Sequence, residues 1–364
     1  MREWCRLRAG PDRVVLLCMT GHRDRWTALA AGVATLVLGV VIASVRLPFV
    51  VWSPGGLADL YSNTGGLIVS GSPTYARTGH LLTTEVAVSS QTVSLGNAMT
   101  AFFSRDKTVF PQAVSYSVGL PIAPLVIGQQ AVEAQRAAEA AALRLAALPG
   151  LTARPVARVV SVLATGPSFG WLQPDDIIDA VGATTVTSVA DFKAAVATHT
   201  IGDTIQLSVT RDGRTLDKQV DVVAQASYTS QQAPSLGVTM TDSYQLPVLV
   251  TNAPIDTRAG LLLAIAVYDS ITSGPLLGSL TVTGIGAVDA NGTVSGVAGS
   301  KQALAAAQAA GIQVFLLPAS NCVNASLPGL TMRVVAVTTL EQAVSSIQIL
   351  ATGGDISQVP VCQS

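Results

Sequence analysis

The pattern of apolar and polar positions changes several times along the chain, and each change predicts a different kind of element. Residues 27–45 form an uninterrupted apolar run of 19 residues without a charge or a proline. Short alternating runs follow, such as Leu81–Val88, and turn residues separate them, which is typical of β-strands. An alanine-rich stretch over 128–148 predicts a helix that ends at Pro149 and Gly150. The pattern therefore predicts an α+β protein.

The apolar run over 27–45 is long enough to cross a bilayer, because 19 residues at 1.5 Å per residue cover about 28 Å. More basic than acidic residues precede it, so the positive-inside rule predicts a cytoplasmic segment over 1–26. We therefore expect a single-pass cell-membrane protein with its bulk outside the cytoplasm. A cleaved signal peptide and a buried core helix are the alternatives.

Composition narrows the candidate functions. Charged residues make up 12% of the chain and the net charge is −1, so there is no basic surface for nucleic acid. The sequence has no CxxC pair and no recognisable cofactor motif, so we expect no metal and no cofactor. Cys322 and Cys362 fall late in the part predicted to be exported, where a disulfide is more common than two free thiols.

Residues 46–145 read as a β-rich membrane-proximal region with a helix, and residues 146–225 form the next unit. That unit begins with a strand over 156–163, continues with a turn at Gly166–Gly170 and the sequence Leu172-Gln-Pro-Asp-Asp-Ile177, and ends in a hairpin with Asp212-Gly213 at its tip. This order resembles a bacterial PDZ domain.

PDZ domains present the backbone N–H groups of an x-Φ-G-Φ loop to a peptide's terminal carboxylate, while the peptide adds as a strand. The sequence Leu148-Pro-Gly-Leu151 matches that loop, so Leu148, Gly150 and Leu151 are the predicted peptide-binding residues. The alternative is that Pro149-Gly150 merely ends the preceding helix.

Residues 226–364 resemble the proteolytic domain of Lon peptidases. Six segments match in order, namely Tyr244–Val250, Ala259–Asp269, Leu280–Gly286, Asp289–Gly299, Lys301–Ile312 and Val314–Cys322. With the predicted anchor and the PDZ-like unit, the chain resembles the membrane-anchored PDZ–Lon branch of serine peptidases. The resemblance implies a transmembrane helix, a β-rich region, a PDZ domain and a Lon-like α/β domain.

Lon catalysis needs a serine nucleophile and a lysine base. This sequence has neither residue at the position that the resemblance assigns to it. Arg258 stands at the serine position and Ala303 at the lysine position. Thr257 and Lys301 are the nearest substitutes, but each is displaced from its expected place. The sequence Gly166-Pro-Ser-Phe-Gly170 imitates the serine motif within the PDZ-like unit.

We therefore expect a pseudoprotease that binds C-terminal or extended segments of envelope proteins, as a homo-oligomer or beside an active paralogue. An active, ATP-independent serine endopeptidase that uses displaced residues is the first alternative, and a structural envelope protein is the second.

Overall fold

The computed structural model describes residues 9–10, 13–14, 22–62, 65–89, 92–104, 106–111, 124–221, 223–225, 233–254, 256–324 and 329–362. Most of the segment predicted to be cytoplasmic, 1–26, lies outside these ranges. The helices are α1 (His22–Ser44), α2 (Leu95–Phe102), α3 (Pro124–Ala146), α4 (Val189–Ala197), α5 (Gly260–Ile271), α6 (Ser300–Ala309) and α7 (Leu340–Thr352).

The strands form several sheets. In chain order they are β1 (Ala9–Gly10), β2 (Arg13–Val14), β3 (Arg46–Leu47), β4 (Phe49–Asp59), β5 (Ile68–Ser70), β6 (His80–Val88), β7 (Val93–Ser94), β8 (Thr108–Pro111), β9 (Arg154–Val162), β10 (Ile177–Val181), β11 (Thr184–Thr185), β12 (Thr204–Arg211), β13 (Arg214–Asp221), β14 (Val223–Gln225), β15 (Ala233–Ser235), β16 (Val238–Gln245), β17 (Leu249–Thr251), β18 (Thr281–Gly284), β19 (Ala287–Val288), β20 (Val294–Ser295), β21 (Val314–Pro318) and β22 (Arg333–Val337).

The chain divides into two compact units, one within 1–52 and 88–115 and the other within 53–87 and 116–364. In the first unit, β3 pairs with β7, and the start of β4 pairs with β8. The rings of Trp52 and Phe110 pack with their centroids 5.2 Å apart.

Helix α1 of the first unit covers the segment predicted to span a membrane. The helix has 23 residues, and its apolar side chains are largely exposed in the structure, with Leu36 70% exposed. Among the residues that the structure describes, no helix is long and apolar enough to cross a membrane. The predicted helix is present, whereas its membrane-spanning character is not supported.

The second unit contains a five-stranded antiparallel sheet, sheet A, in the order β13-β12-β10-β9-β16, and β11 extends β10. Helix α4 covers one face of sheet A over a core that includes Ile178, Phe192, Leu207 and Leu236. The hairpin predicted around Asp212-Gly213 joins β12 to β13, and both turn residues have the positive φ that a type I′ turn requires.

A second sheet in this unit, sheet B, runs in the order β22-β21-β18-β6-β4, and its neighbours β22-β21-β18-β6 are parallel. Successive residues of β21 alternate between two apolar clusters: Leu316 packs in the one that contains α5 and α7, and Phe315 in the one that contains α6. Both faces of sheet B are thus covered, as its continuously apolar strands require.

Two parts of the sequence prediction differ from this arrangement. The sequence places the strands of 53–87 in a membrane-proximal region, whereas β6 lies inside sheet B, beside β18. The sequence also treats Tyr244–Val250 as one strand of the Lon-like domain, whereas β16 ends at Gln245 in sheet A and β17 pairs with β5. Strands distant in sequence pair here, and local patterns do not encode such pairings.

The predicted disulfide between Cys322 and Cys362 is confirmed, with Cα atoms 5.3 Å apart. It joins the segment after β21 to the C-terminal end of the described chain, where Val361 forms a bridge with Val335 of β22.

Candidate functional site

Strand β16 is the edge of sheet A, and this position makes it the candidate site for strand addition. It pairs with β9 over its whole length, from Val238 opposite Val162 to Gln245 opposite Arg154. Among the described strands it has no neighbour on its other side. Its outward backbone groups are therefore available to an incoming peptide.

The loop that enters β16 has the sequence Ser235-Leu236-Gly237-Val238, which is a second x-Φ-G-Φ pattern. Gly237 has φ +71°, a conformation that glycine adopts without strain. Its carbonyl accepts a hydrogen bond from Leu163 N at 2.8 Å. Because a trans peptide points its C=O and N–H in opposite directions, Val238 N–H faces away from β9, toward the open edge.

The preceding peptide plane is oriented in the same manner. The carbonyl of Leu236 accepts a hydrogen bond of 2.6 Å from the Ser168 hydroxyl, inside the domain. Gly237 N–H therefore points away from Ser168, and it donates to Ser235 Oγ at 3.1 Å. Two consecutive N–H groups beside a residue in the left-handed region form the kind of concavity that binds anions, and in the free protein the Ser235 hydroxyl occupies the first of these donors.

Helix α4 lies beside β16, and the strip between the two elements is called the groove below. Asp242 of β16 accepts a hydrogen bond of 2.6 Å from Val189 N at the first residue of α4. The Ser188 hydroxyl caps the same helix end by accepting from Asp191 N. These bonds hold the start of α4 against the end of β16.

The floor of this groove is apolar. Phe192 of α4 and Leu236 are buried in the core of sheet A. Val189, Val238 and Met240 are half-buried at its margin and pack on that core. The strip between α4 and β16 is therefore apolar.

The residues predicted to bind the peptide carboxylate lie elsewhere. Leu148, Gly150 and Leu151 form the turn after α3, and both leucines pack on the core of α5 and sheet B. The turn leads to β9, which already has β10 and β16 as neighbours. A peptide cannot add to a strand that is paired on both sides, so Leu148–Leu151 does not fit the role. The structure supports the alternative that these residues end the helix.

Sequence reasoning missed Leu236–Val238, although the same x-Φ-G-Φ signal was present. The loop lies just after the predicted domain boundary at 225, so it was assigned to the C-terminal domain. In the structure it belongs to sheet A.

The two positions that the resemblance assigns to a Ser–Lys dyad carry no nucleophile and no base. Arg258 lies in a 3-10 turn, and its guanidinium contacts both carboxylate oxygens of Asp256, with Nη2 2.6 Å from Oδ2. Ala303 of α6 is fully buried, in the cluster that contains Phe315. Of the substitutes, Thr257 is exposed and Lys301 is half-buried.

Around these positions the backbone is held by specific contacts. Gly286 N donates to the carbonyl of Arg258 at 2.8 Å. Asn321 bonds both the N–H and the C=O of Val297 at 2.9 Å. A Cβ at Gly296 would lie 2.6 Å from the Ser320 hydroxyl, so the backbone that follows the β19–β20 hairpin passes very close to the segment after β21. These contacts fix the backbone on both sides of Arg258 and Ala303.

A cavity of about 400 Å³ separates α3 from the other face of sheet A. Arg136 bonds Glu133 at 2.7 Å, and its second nitrogen lies 3.4 Å from Asp175. Arg158, only 11% exposed, donates to the carbonyls of Asp175 and Tyr244. Burial and then the neighbouring Arg136 lower the pKa of Arg158.

Two buried carboxyl groups lie near the core of sheet B and its helices. Burial raises the pKa of Glu139 in α3 to about 7, although Gln135 donates to it at 2.7 Å. Burial likewise raises the pKa of Asp269, which accepts from the Tyr61 hydroxyl at 2.7 Å and from Leu276 N. In the part of the chain that the structure describes, no three His, Cys, Asp or Glu residues are placed to hold a metal ion.

Comparison with known proteins identifies the segment that contains α4 and strands β9 to β13, whereas the loop 235–238 and β16 lie beyond the matched residues. A family model described as a PDZ domain matches residues 126–222, so this part of the chain is a PDZ domain. The match begins within α3, ahead of the start predicted at 146. No curated protein matches the chain.

Several solved domains are similar to about a quarter of this chain. The PDZ domain of an SdrC-like protein from Listeria monocytogenes is 19% identical, over 23% of this chain and 86% of that one, with a TM-score of 0.21. The second domain of a Listeria protein is 20% identical, over 26% and 91%, with a TM-score of 0.23. A solution structure from Geobacillus thermodenitrificans is 23% identical, over 24% and 95%, with a TM-score of 0.21.

Proposed function

We propose that this protein binds the C-terminal segments of other proteins by strand addition to β16, with the terminal carboxylate at Leu236–Val238. PDZ domains in general bind peptide segments of partner proteins. The observation that carries the proposal is the open edge of β16, which follows an x-Φ-G-Φ loop whose Val238 N–H faces outward.

The groove suits a peptide with apolar side chains. Main-chain hydrogen bonds to β16 would supply affinity that does not depend on sequence, and the apolar floor beside Phe192 would select the side chains that point inward. The hydrogen bond from Val189 N to Asp242 closes the far end of the groove, so we expect only the last few residues of a partner to bind.

Two glycines with similar backbone conformations provide the test. A Cβ at Gly237 would lie 3.0 Å from Gly166 Cα, whereas a Cβ at Gly150 would meet nothing within 4 Å, and both residues have positive φ. Binding is measured by fluorescence anisotropy against a library of random heptapeptides with free C-terminal carboxylates. We expect Gly237→Ala to abolish binding and Gly150→Ala to leave it unchanged. Loss of binding in Gly150→Ala alone would place the site at 148–151, and a library without binders would favour a structural envelope protein.

We propose further that the C-terminal part is a Lon-like domain without peptidase activity, which acts as a binding or assembly platform. Its support is the occupation of the dyad positions by an ion-paired arginine and a buried alanine. A fluorescent casein assay tests this. We expect no turnover, and turnover that Thr257→Ala or Lys301→Ala abolishes would establish the active alternative. Light scattering would reveal the predicted homo-oligomer, and co-purification would reveal an active paralogue.

The location outside the cytoplasm stays a prediction, and the Cys322–Cys362 disulfide supports it, because disulfides persist in oxidising compartments. Envelope proteins are therefore the partners that we propose. Alkylation of thiols in intact cells, followed by mass spectrometry, would report the state of this pair. Two reduced thiols in the cell would argue for a reducing compartment.

A further inference from the structure

Ser168 lies in the sequence Gly166-Pro-Ser-Phe-Gly170, which imitates the serine motif of a peptidase. The side chain is 0% exposed, so a substrate cannot reach it. Its hydroxyl donates a hydrogen bond of 2.6 Å to the carbonyl of Leu236, a residue 68 positions later in the chain. The serine therefore has a partner in the loop that enters β16 rather than in a catalytic site.

The two loops are in direct backbone contact. Gly166 allows this approach, since a Cβ there would lie 3.2 Å from Gly237 Cα. Leu163 N donates to the carbonyl of Gly237 at 2.8 Å. The segment 163–168 thus binds two carbonyls of the loop. The Leu236 carbonyl shares a peptide plane with Gly237 N–H, and the Gly237 carbonyl shares one with Val238 N–H.

We infer that Ser168 is a positioning residue for carboxylate recognition, an inference that rests on the proposed function. By holding the carbonyl of Leu236 inward, its hydroxyl keeps Gly237 N–H directed away from Ser168, where it donates to Ser235 Oγ at 3.1 Å in the free protein and would donate to the carboxylate once a peptide binds. A peptide plane held in place before binding loses less entropy when the carboxylate arrives, and affinity rises accordingly.

Two parts of the site contribute to binding separately. Strand pairing along β16 does not depend on the peptide's terminal group, whereas the loop interacts with the terminal carboxylate. Removal of the Ser168 hydroxyl leaves the buried carbonyl of Leu236 without its donor, and the peptide plane is free to turn. We therefore expect loss of carboxylate preference rather than loss of all binding.

The experiment uses the full-length protein and two forms of the tightest peptide from the heptapeptide library, one with a free carboxylate and one amidated at its C-terminus. The ratio of their dissociation constants is measured for the wild type and for Ser168→Ala, Ser168→Cys and Ser161→Ala. Ser161 is exposed on neighbouring β9 and serves as the matched control. Thermal unfolding confirms that each variant is folded.

We expect the wild type to bind the peptide with the free carboxylate more tightly than the amidated one. In Ser168→Ala the ratio of the two dissociation constants should be about tenfold smaller, which corresponds to about 1.4 kcal/mol. Ser168→Cys should fall between them because a thiol is a weak donor. Ser161→Ala should match the wild type. An unchanged ratio in Ser168→Ala, or equal weakening of both peptides, would overturn the inference. Wild-type protein that binds neither peptide would instead overturn the proposed function itself.

Discussion

The buried carboxyl group of Glu139 makes the stability of this protein depend on pH. Glu139 is 3% exposed on α3, in the segment that packs on α5, and burial raises its pKa from 4.5 to about 7. Because the pKa is higher in the folded than in the unfolded protein, the folded state retains the proton over this interval. The contribution of Glu139 to stability is therefore fully present below about pH 4.5 and is lost as the pH rises to about 7.

The size of this effect follows from the shift. Each pKa unit corresponds to 1.36 kcal/mol, so the difference between 4.5 and about 7 corresponds to a loss of about 3 kcal/mol. Glu139→Gln removes the titration and keeps an oxygen that can accept from Gln135 Nε2, which now bonds Glu139 at 2.7 Å. We expect the variant to be more stable than the wild type at pH 8 by a large part of this amount.

Urea unfolding between pH 4.5 and 8, followed by circular dichroism, measures the effect. The wild-type midpoint should fall across this range more than that of Glu139→Gln. Glu341→Gln, at an exposed carboxylate in the first turn of α7, is the control and should retain the wild-type slope. Parallel curves for wild type and Glu139→Gln would refute the reasoning.

Three further predictions concern interactions that hold the fold together. Arg211→Met should lower the free energy of unfolding by roughly 3–5 kcal/mol, because Asp176, with a fully buried side chain, loses its two 2.7 Å hydrogen bonds to the guanidinium. Chemical denaturation measures this loss, and the exposed control Arg214→Met should show little change. Equal losses in the two variants would contradict the prediction. Asn321→Ala should cost about 2 kcal/mol, since the N–H and C=O of Val297 lose their partner, and a thermal midpoint within error of wild type would exclude that role. Reduction of the disulfide opens a link between residues 40 positions apart and should lower the free energy of unfolding by roughly 4 kcal/mol. Identical melting temperatures with and without dithiothreitol would argue against this contribution.

Local features of this chain could be predicted from the sequence because they depend on neighbouring residues. The hairpin at Asp212-Gly213 follows from two residues that tolerate positive φ, and the helix that ends near Pro149 follows from composition. The pairing of Cys322 with Cys362 is not local, since 40 positions separate them, and it follows instead from the number and the positions of the cysteines.

The peptide site could not be placed from the sequence, because it depends on which strand forms the edge of sheet A. The x-Φ-G-Φ pattern occurs at both Leu148–Leu151 and Ser235–Val238, and the sequence does not show which of them precedes an edge strand. Among the described strands, only the long-range pairing of β16 with β9 places the loop at Ser235–Val238 before an edge strand. The role of Ser168 was hidden for the same reason, since its partner Leu236 lies 68 residues away.

Hydrogen exchange of the full-length protein with and without a library peptide tests the central claim most directly. Strand addition would give the outward amides of β16, Val238 first among them, a hydrogen-bond acceptor on the peptide. We predict slower exchange over Val238–Gln245 and no change over Leu148–Leu151. Protection of Leu148–Leu151, with β16 unchanged, would contradict the account.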